Sequence, residues 1–142
     1  MIQFDFNVPG AGEFTSLRRH VGWHDLPLAR AEEVIAHSDF FVCARIAGVL
    51  IGTARVVSDK RLFFYIQDVV VHKDLRRKGI GRGLVERALR RIAQQACPGA
   101  FVGLFSIPEV TGFYTRLGFE IYEGPNTPMH LLTLSVHSEE AP

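Results

Sequence analysis

Arg76-Arg77-Lys78-Gly79-Ile80-Gly81-Arg82-Gly83 decides how this chain is read. It follows an apolar run and leads straight into an amphipathic segment, so its three alternating glycines stand at a strand-to-helix junction. Glycines there let a ligand approach the backbone closely. The first N–H groups of the following helix have no intrahelical acceptor and sit at the positive end of its dipole. The combination is an anion cradle, which phosphate oxygens suit; a plain tight turn from strand to helix under a solvated basic surface is its other reading.

The preceding run, Leu62-Phe63-Phe64-Tyr65-Ile66-Gln67-Asp68-Val69-Val70-Val71, is aromatic and β-branched. It is too continuously apolar for an edge strand, so it reads as a strand in the middle of a sheet, buried on both faces. Beyond the glycines, Ile80, Leu84, Ala88, Ile92 and Ala96 recur every four residues beside Val85, Leu89 and Ala93. Arg82, Glu86, Arg90 and Gln94 take the opposite side. The spacing predicts a helix from Gly79 to about Gln95, ended by Pro98-Gly99.

Two common phosphate sites are excluded by their own strings. Gly-x-x-x-x-Gly-Lys followed by Ser or Thr occurs nowhere in the chain. A dinucleotide fingerprint needs a third glycine where Leu84 stands, and no βαβ repeat precedes it. Half of the sixteen Lys and Arg residues fall between Lys73 and Arg91, although the formal net charge is only +1, which points to a local anionic partner. Nucleic acid is a poor fit for that partner, because no aromatic residues are interleaved with the basic cluster.

What remains, Arg76-x-x-Gly79-x-Gly81, resembles the pyrophosphate signature of the GNAT superfamily of acyl-CoA-dependent N-acetyltransferases. Asp68-Val69-Val70-Val71-His72-Lys73-Asp74 is similar to that family's fourth strand, and Gly112-Phe113-Tyr114-Thr115-Arg116-Leu117-Gly118-Phe119-Glu120 to its C-terminal motif. The resemblance runs from about Phe40 to Val136. It implies acetyl-CoA as acyl donor, a primary amine of a small molecule or peptide as acceptor, and no metal. It also implies a cofactor site made of Val69, Val70 and Val71, the segment Arg76, Arg77, Lys78, Gly79, Ile80, Gly81, Arg82 and Gly83, and Phe113 and Arg116. A noncatalytic acyl-CoA sensor with the same pocket is the alternative. Dimerisation is common in the family, so a homodimer is compatible with the resemblance.

Length and composition agree with one α/β domain over residues 1–142, in which 47% hydrophobic content supplies a core and His137 to Pro142 form a frayed tail. Met1 to Asp5 lacks the pattern of a secretory signal, and no apolar run reaches the ~20 residues that span a bilayer, so the expected location is cytoplasmic. Cys43 and Cys97 have neither disulfide nor zinc spacing and read as packed thiols.

Turn and periodicity signals give strand Ile2 to Val8, helices Gly12 to Val21 and Pro27 to His37, and strands Phe40 to Ile46 and Val49 to Val57. After the buried strand and long helix come strand Phe101 to Phe105, helix Pro108 to Leu117, and closing strands at Ile121 and Met129 to Val136. This order matches the GNAT fold. By resemblance it is a single mixed, mostly antiparallel sheet of about seven strands with helices on both faces. Its fourth and fifth strands splay to admit the cofactor's pantetheine arm, here between Val69-Val70-Val71 and Phe101 to Ser106.

Acyl transfer to an amine needs an unprotonated amine, a polarised thioester and a proton for the leaving thiolate. Tyr114 occupies the position of the family's general acid. A phenol of pKa about 10 giving its proton to a thiolate of about 8.5 is uphill by only ~2 kcal/mol. Packing beside Phe113 is its other reading. Asp68 is the best-placed carboxylate, and strict alternation puts it on one face with Phe64, Ile66 and Val70. It serves there as a general base, as a holder of a cationic amine, or as a structural partner of nearby backbone. Arg116 reads either as a phosphate contact or as a solvated side chain. His72 follows the buried strand closely. The family builds its acceptor wall where Trp23 and His24 fall. Many members carry an asparagine where this chain has Ser106-Ile107-Pro108-Glu109, so that family contact is either absent here or taken by Ser106.

Overall fold

The computed structural model describes residues 1–130. Strand β1 (Ile2–Asp5) is followed by helices α1 (Ala11–His20) and α2 (Leu28–Ala36), then β2 (Phe40–Ile46), β3 (Val49–Ser58) and β4 (Phe63–Val71). Helix α3 (Ile80–Gln95), β5 (Phe101–Gly103) and, after a short 3-10 turn at Pro108–Val110, α4 (Thr111–Arg116) complete the described chain. The strands lie in sequence order, antiparallel from β1 to β4, with β5 parallel to β4. A parallel neighbour requires a crossover, and α3 supplies it.

The period-four apolar stripe of α3 does what its spacing predicts. Ile80, Leu84, Ala88 and Ile92 are buried against Val42, Ala44, Ala54, Val56, Phe64 and Ile66 on one face of the sheet. Each large aliphatic side chain so buried contributes about 1.5–3 kcal/mol relative to exposure. The opposite face holds Phe14 and Leu17 of α1 and Ala31 of α2 against Phe41, Cys43, Leu50 and Val70. Burial pushes the Cys43 thiol up to about 12, which leaves it an inert core group.

Strand β4 carries an irregularity that alternation does not foresee. Thr53 pairs with Val70 and Arg55 with Gln67, so Asp68 and Val69 together stand opposite Ala54. The extra residue is a β-bulge, and Asp68 takes φ of 51° within it. Aspartate tolerates that left-handed conformation better than most residues. The bulge reverses the facing of every later side chain. Phe64 and Ile66 pack toward α3, whereas Val70 packs toward α1 and α2. Asp68 reaches Arg18 on α1 and shares the face of Val70, not that of Phe64 and Ile66 as strict alternation requires.

The sheet has five strands among the described residues instead of about seven. Ile121 lies in no strand, and Leu131 to Val136 and the tail from His137 fall outside the described residues. Strand β4 is central, but Tyr65, Gln67, Val69 and Val71 are only half-buried. Burial on both faces is therefore incomplete, and the partly open groups border the site.

Candidate active site

At the N-terminus of α3 the backbone passes through two left-handed residues before the helix begins. Arg77 has φ of 65° and Gly79 φ of 81°. These turns bring the chain from Arg76, whose Nε donates to the Val71 carbonyl at 3.2 Å, into the first turn of the helix. The Gly83 N–H donates to the Gly79 carbonyl at 3.0 Å, so the amides that precede it, Ile80, Gly81 and Arg82, are those without an intrahelical acceptor. Arg76, Arg77 and Arg82 surround them.

These residues form one end of a cleft of about 1080 Å³. One wall is Ile66 to Val71, and the other is Leu104 to Ile107 with Phe113, Tyr114 and Arg116. The cleft exists because β5 pairs with β4 only from Phe63 to Tyr65, while β4 runs on to Val71. Beyond Tyr65 that edge of β4 has no strand partner among the described residues, so its backbone groups face the opening. Tyr114 packs edge-on against Phe113 at 4.9 Å and Phe119 at 5.8 Å between ring centres. Burial raises its phenol above the ordinary 10.0, which keeps it protonated across the physiological range.

The far end is built from side chains. Asp68 is 3% exposed and accepts from Arg18 Nη1 through one carboxylate oxygen and from Arg55 Nε at 2.7 Å through the other. The Asp68 carbonyl accepts from Thr53 Oγ1 at 2.8 Å, and its N–H donates to Gln67 Oε1 at 3.0 Å. The Arg18 guanidinium lies 5.2 Å from the ring centre of Trp23 and 5.7 Å from that of Phe14. A second cavity of about 580 Å³ opens here, lined by Arg18, Gly22, Trp23, His24, Gln67 and Asp68. Trp23, Gln67 and Asp68 also line the large cleft, so the two spaces adjoin.

Of the residues expected at the site, Asp68, Val69, Val70, Val71, Arg76, Arg77, Gly79, Ile80, Gly81, Arg82, Phe113, Tyr114 and Arg116 all reach the cleft wall. Lys78 and Gly83 do not. Gly83 faces β1, where a Cβ would come 2.6 Å from Phe4 Cζ; its smallness serves helix-to-strand packing. Part of the basic cluster is also used internally. Arg87 lies 3.9 Å over the Phe4 ring, Arg91 4.6 Å over Phe6, and Arg82 pairs with Glu86 at 2.9 Å. His72 stacks on His20 at 3.8 Å and lines neither cavity. Ser106 lines the cleft and donates to the Ile107 carbonyl at 2.8 Å. No group of three or more metal-ligating side chains occurs among the described residues.

Arg18 and Gln67 were not legible as site residues beforehand. Their signal was a polar residue on an otherwise apolar pattern: Arg18 lies four positions after Phe14 on the buried side of α1, and Gln67 interrupts an apolar strand.

Comparison with known proteins agrees with this geometry. Residues 36–121 match the acetyltransferase (GNAT) domain family. The uncharacterized N-acetyltransferase ycf52 of Porphyra purpurea is 30% identical over 111 residues, which is 75% of this chain and 63% of that protein. The chain thus spans about three-fifths of the length of such curated relatives. The chloroplastic GCN5-related N-acetyltransferase 2 of Arabidopsis thaliana is 38% identical over 71 residues, 50% of this chain and 27% of that one. A probable acetyltransferase from methicillin-resistant Staphylococcus aureus superposes with a TM-score of 0.85 at 22% identity, covering 94% of this chain and all of that one, a likeness of fold.

Proposed function

The chain belongs to the GNAT acetyltransferase family, and we propose that it moves an acetyl group from acetyl-CoA directly to a primary amine. The observation that carries this reading is the set of acceptor-free amides at Ile80, Gly81 and Arg82, opening on a cleft that Tyr114 also lines. The residues fit a diphosphate: convergent N–H donors at a helix N-terminus, flanked by Arg76, Arg77 and Arg82. We read the unpaired stretch of β4 beyond Tyr65 as the splay that takes the pantetheine arm, with N–H groups among Val69, Val70 and Val71 available to the thioester carbonyl.

In the transfer, the amine nitrogen bonds to the carbonyl carbon as the carbon–sulfur bond breaks. The departing thiolate takes the Tyr114 phenol proton, the new amide nitrogen gives its surplus proton to water, and water restores the phenol. Asp68 is a weak candidate for the base, because both of its oxygens already hold guanidinium groups. In this reading it organises the acceptor end. No helix among the described residues is long and apolar enough to cross a membrane. The acceptor itself is a small-molecule or peptide amine.

The test is calorimetric titration with acetyl-CoA together with a thiol-release screen over a panel of amines. Acetyl-CoA binding with amine-dependent thiol release supports the transferase. Binding without release on any amine gives the noncatalytic sensor, and absence of binding removes the reading.

A further inference from the structure

The acceptor end carries an electrostatic imbalance. Arg18 and Arg55, 18% and 15% exposed, share the single carboxylate of Asp68, so the buried cluster holds one positive charge in surplus. Nearby carboxylates do not cancel it. Besides Asp68, the only carboxylate lining the two cavities among the described residues is Glu109, on the β5–α4 connection; Asp25 lines neither and pairs with Arg19 at 3.2 Å. Arg18 Nε is buried and has no hydrogen-bond partner. Arg18 itself lines the smaller cavity, where Asp68 is the only carboxylate among the lining residues, so a ligand there meets a guanidinium whose charge is only partly compensated. Trp23 lies over the same guanidinium, its ring centre 5.2 Å away.

Resting on the transferase reading, we propose that the acceptor is an amine carrying an anionic group a few bonds from its nitrogen, which Arg18 receives in the smaller cavity. The closeness of the two groups follows from the shared wall. Trp23, Gln67 and Asp68 line both the cavity holding Arg18 and the cleft in which the acyl group is delivered, so amine and anion stand side by side. The shared chemistry is a carboxylate or phosphate accepting from a guanidinium, as in an α-amino acid or an aminoalkyl phosphate. Polyamines, cationic along their whole length, meet the surplus charge with repulsion.

Trp23 is the chain's single tryptophan and so reports on this cavity. The protein saturated with CoA is titrated, with Trp23 emission as readout, against matched pairs: the common α-amino acids and their amides, and O-phosphoethanolamine and ethanolamine. Thiol release from acetyl-CoA is followed on the same pairs, with kcat/KM referred to the unprotonated amine. The anionic member is expected to half-saturate at a concentration at least tenfold lower and to show at least tenfold higher kcat/KM. Preference in the carboxylate pairs alone identifies an amino acid, and preference in the phosphate pair alone an aminoalkyl phosphate. Arg18→Gln removes the preference while CoA affinity, measured by calorimetry, is retained. If that variant misfolds, Arg18→Lys, which keeps the charge but lacks the fork, reduces the preference. Equal response within every pair, or no response to any anionic amine, overturns the proposal while CoA binding still stands; loss of CoA binding by the wild-type protein instead sinks the transferase reading.

Discussion

The two ends of the cleft are made in different ways. The cradle at Arg76–Gly83 uses neighbouring residues and backbone N–H groups, shaped by left-handed turns at Arg77 and Gly79. The acceptor end uses side chains from α1, the loop after it, β3 and β4, and its central pair, Arg18 and Asp68, is fifty residues apart in sequence. A backbone-made site is a local string, insensitive to the identity of most side chains around it. A site made of side chains depends on tertiary contacts and is altered by single substitutions. On the proposed reading, the first end takes the donor's diphosphate, common to every acyl-CoA, and the second takes the acceptor.

The largest effect is expected where that dependence is most concentrated. Asp68→Asn keeps shape and tolerance of the bulge conformation but strands two guanidinium groups that are mostly out of water. Removing one partner of a buried ion pair destabilises by about 3–5 kcal/mol. Urea unfolding of the variant is expected to show a loss of about 3 kcal/mol, the low end of that range because both arginines keep some solvent access. Unchanged stability would mean that the acceptor end is not held by charge at all.

Tyr114→Phe separates chemistry from binding. The phenyl ring keeps its packing against Phe113 and Phe119 while the proton donor is lost. General-acid removal lowers rate by roughly 10²-fold, about 2.7 kcal/mol, with acetyl-CoA affinity unchanged. Because burial raises the phenol above 10.0, the wild-type kcat is expected to fall from ionisation of Tyr114 only at pH above 10. Equal turnover by the variant takes Tyr114 out of the acid role.

How much of this was visible in the sequence follows the same division. The long helix, the central strand, the meander of β2 to β4 and the glycine turn into α3 were legible because periodicity and glycine spacing act over a few residues. The facing of Asp68 was not. A single inserted residue in β4 reverses the alternation, and nothing in Gln67-Asp68-Val69 signals that it pairs two-to-one with Ala54. Arg18 was hidden for a related reason: its place in the site depends on α1 packing over the bulge. Spacing places Gly83 in the cradle, since spacing alone cannot tell a glycine kept for a ligand from one kept for Phe4.

The paired glycines sharpen that last point. A Cβ at Gly79 meets nothing within 4 Å, so Gly79→Ala acts only through φ of 81°. The left-handed penalty of about 1–2 kcal/mol predicts roughly 5- to 30-fold weaker acetyl-CoA binding as the cradle relaxes. Gly83→Ala pushes on Phe4 instead and is expected to lower thermal stability with little change in acetyl-CoA affinity. Calorimetry beside thermal melts distinguishes the two; weakened binding in Gly83→Ala would return that residue to the cradle.

The smallest effect lies where α1 meets the segment leading into the cradle. His20 Nε2 accepts from the Lys73 N–H and His72 Nδ1 from the Asp74 N–H, each at 3.2 Å, and the rings stack. The accepting nitrogen of His20 must be unprotonated. Loss of hydration at the stack, with His72, Lys73 and Arg76 nearby and Asp74 opposing, holds His20 below its usual 6.5. The unfolded chain then takes up the proton first, so stability is full above 6.5 and declines as pH falls below it. A wild-type melting temperature that drops more between pH 7.5 and 5.5 than that of His20→Asn is the expected result. A parallel weakening of acetyl-CoA binding in the wild type alone would show that the cradle, though drawn from one contiguous string, also leans on a side-chain contact made across the fold.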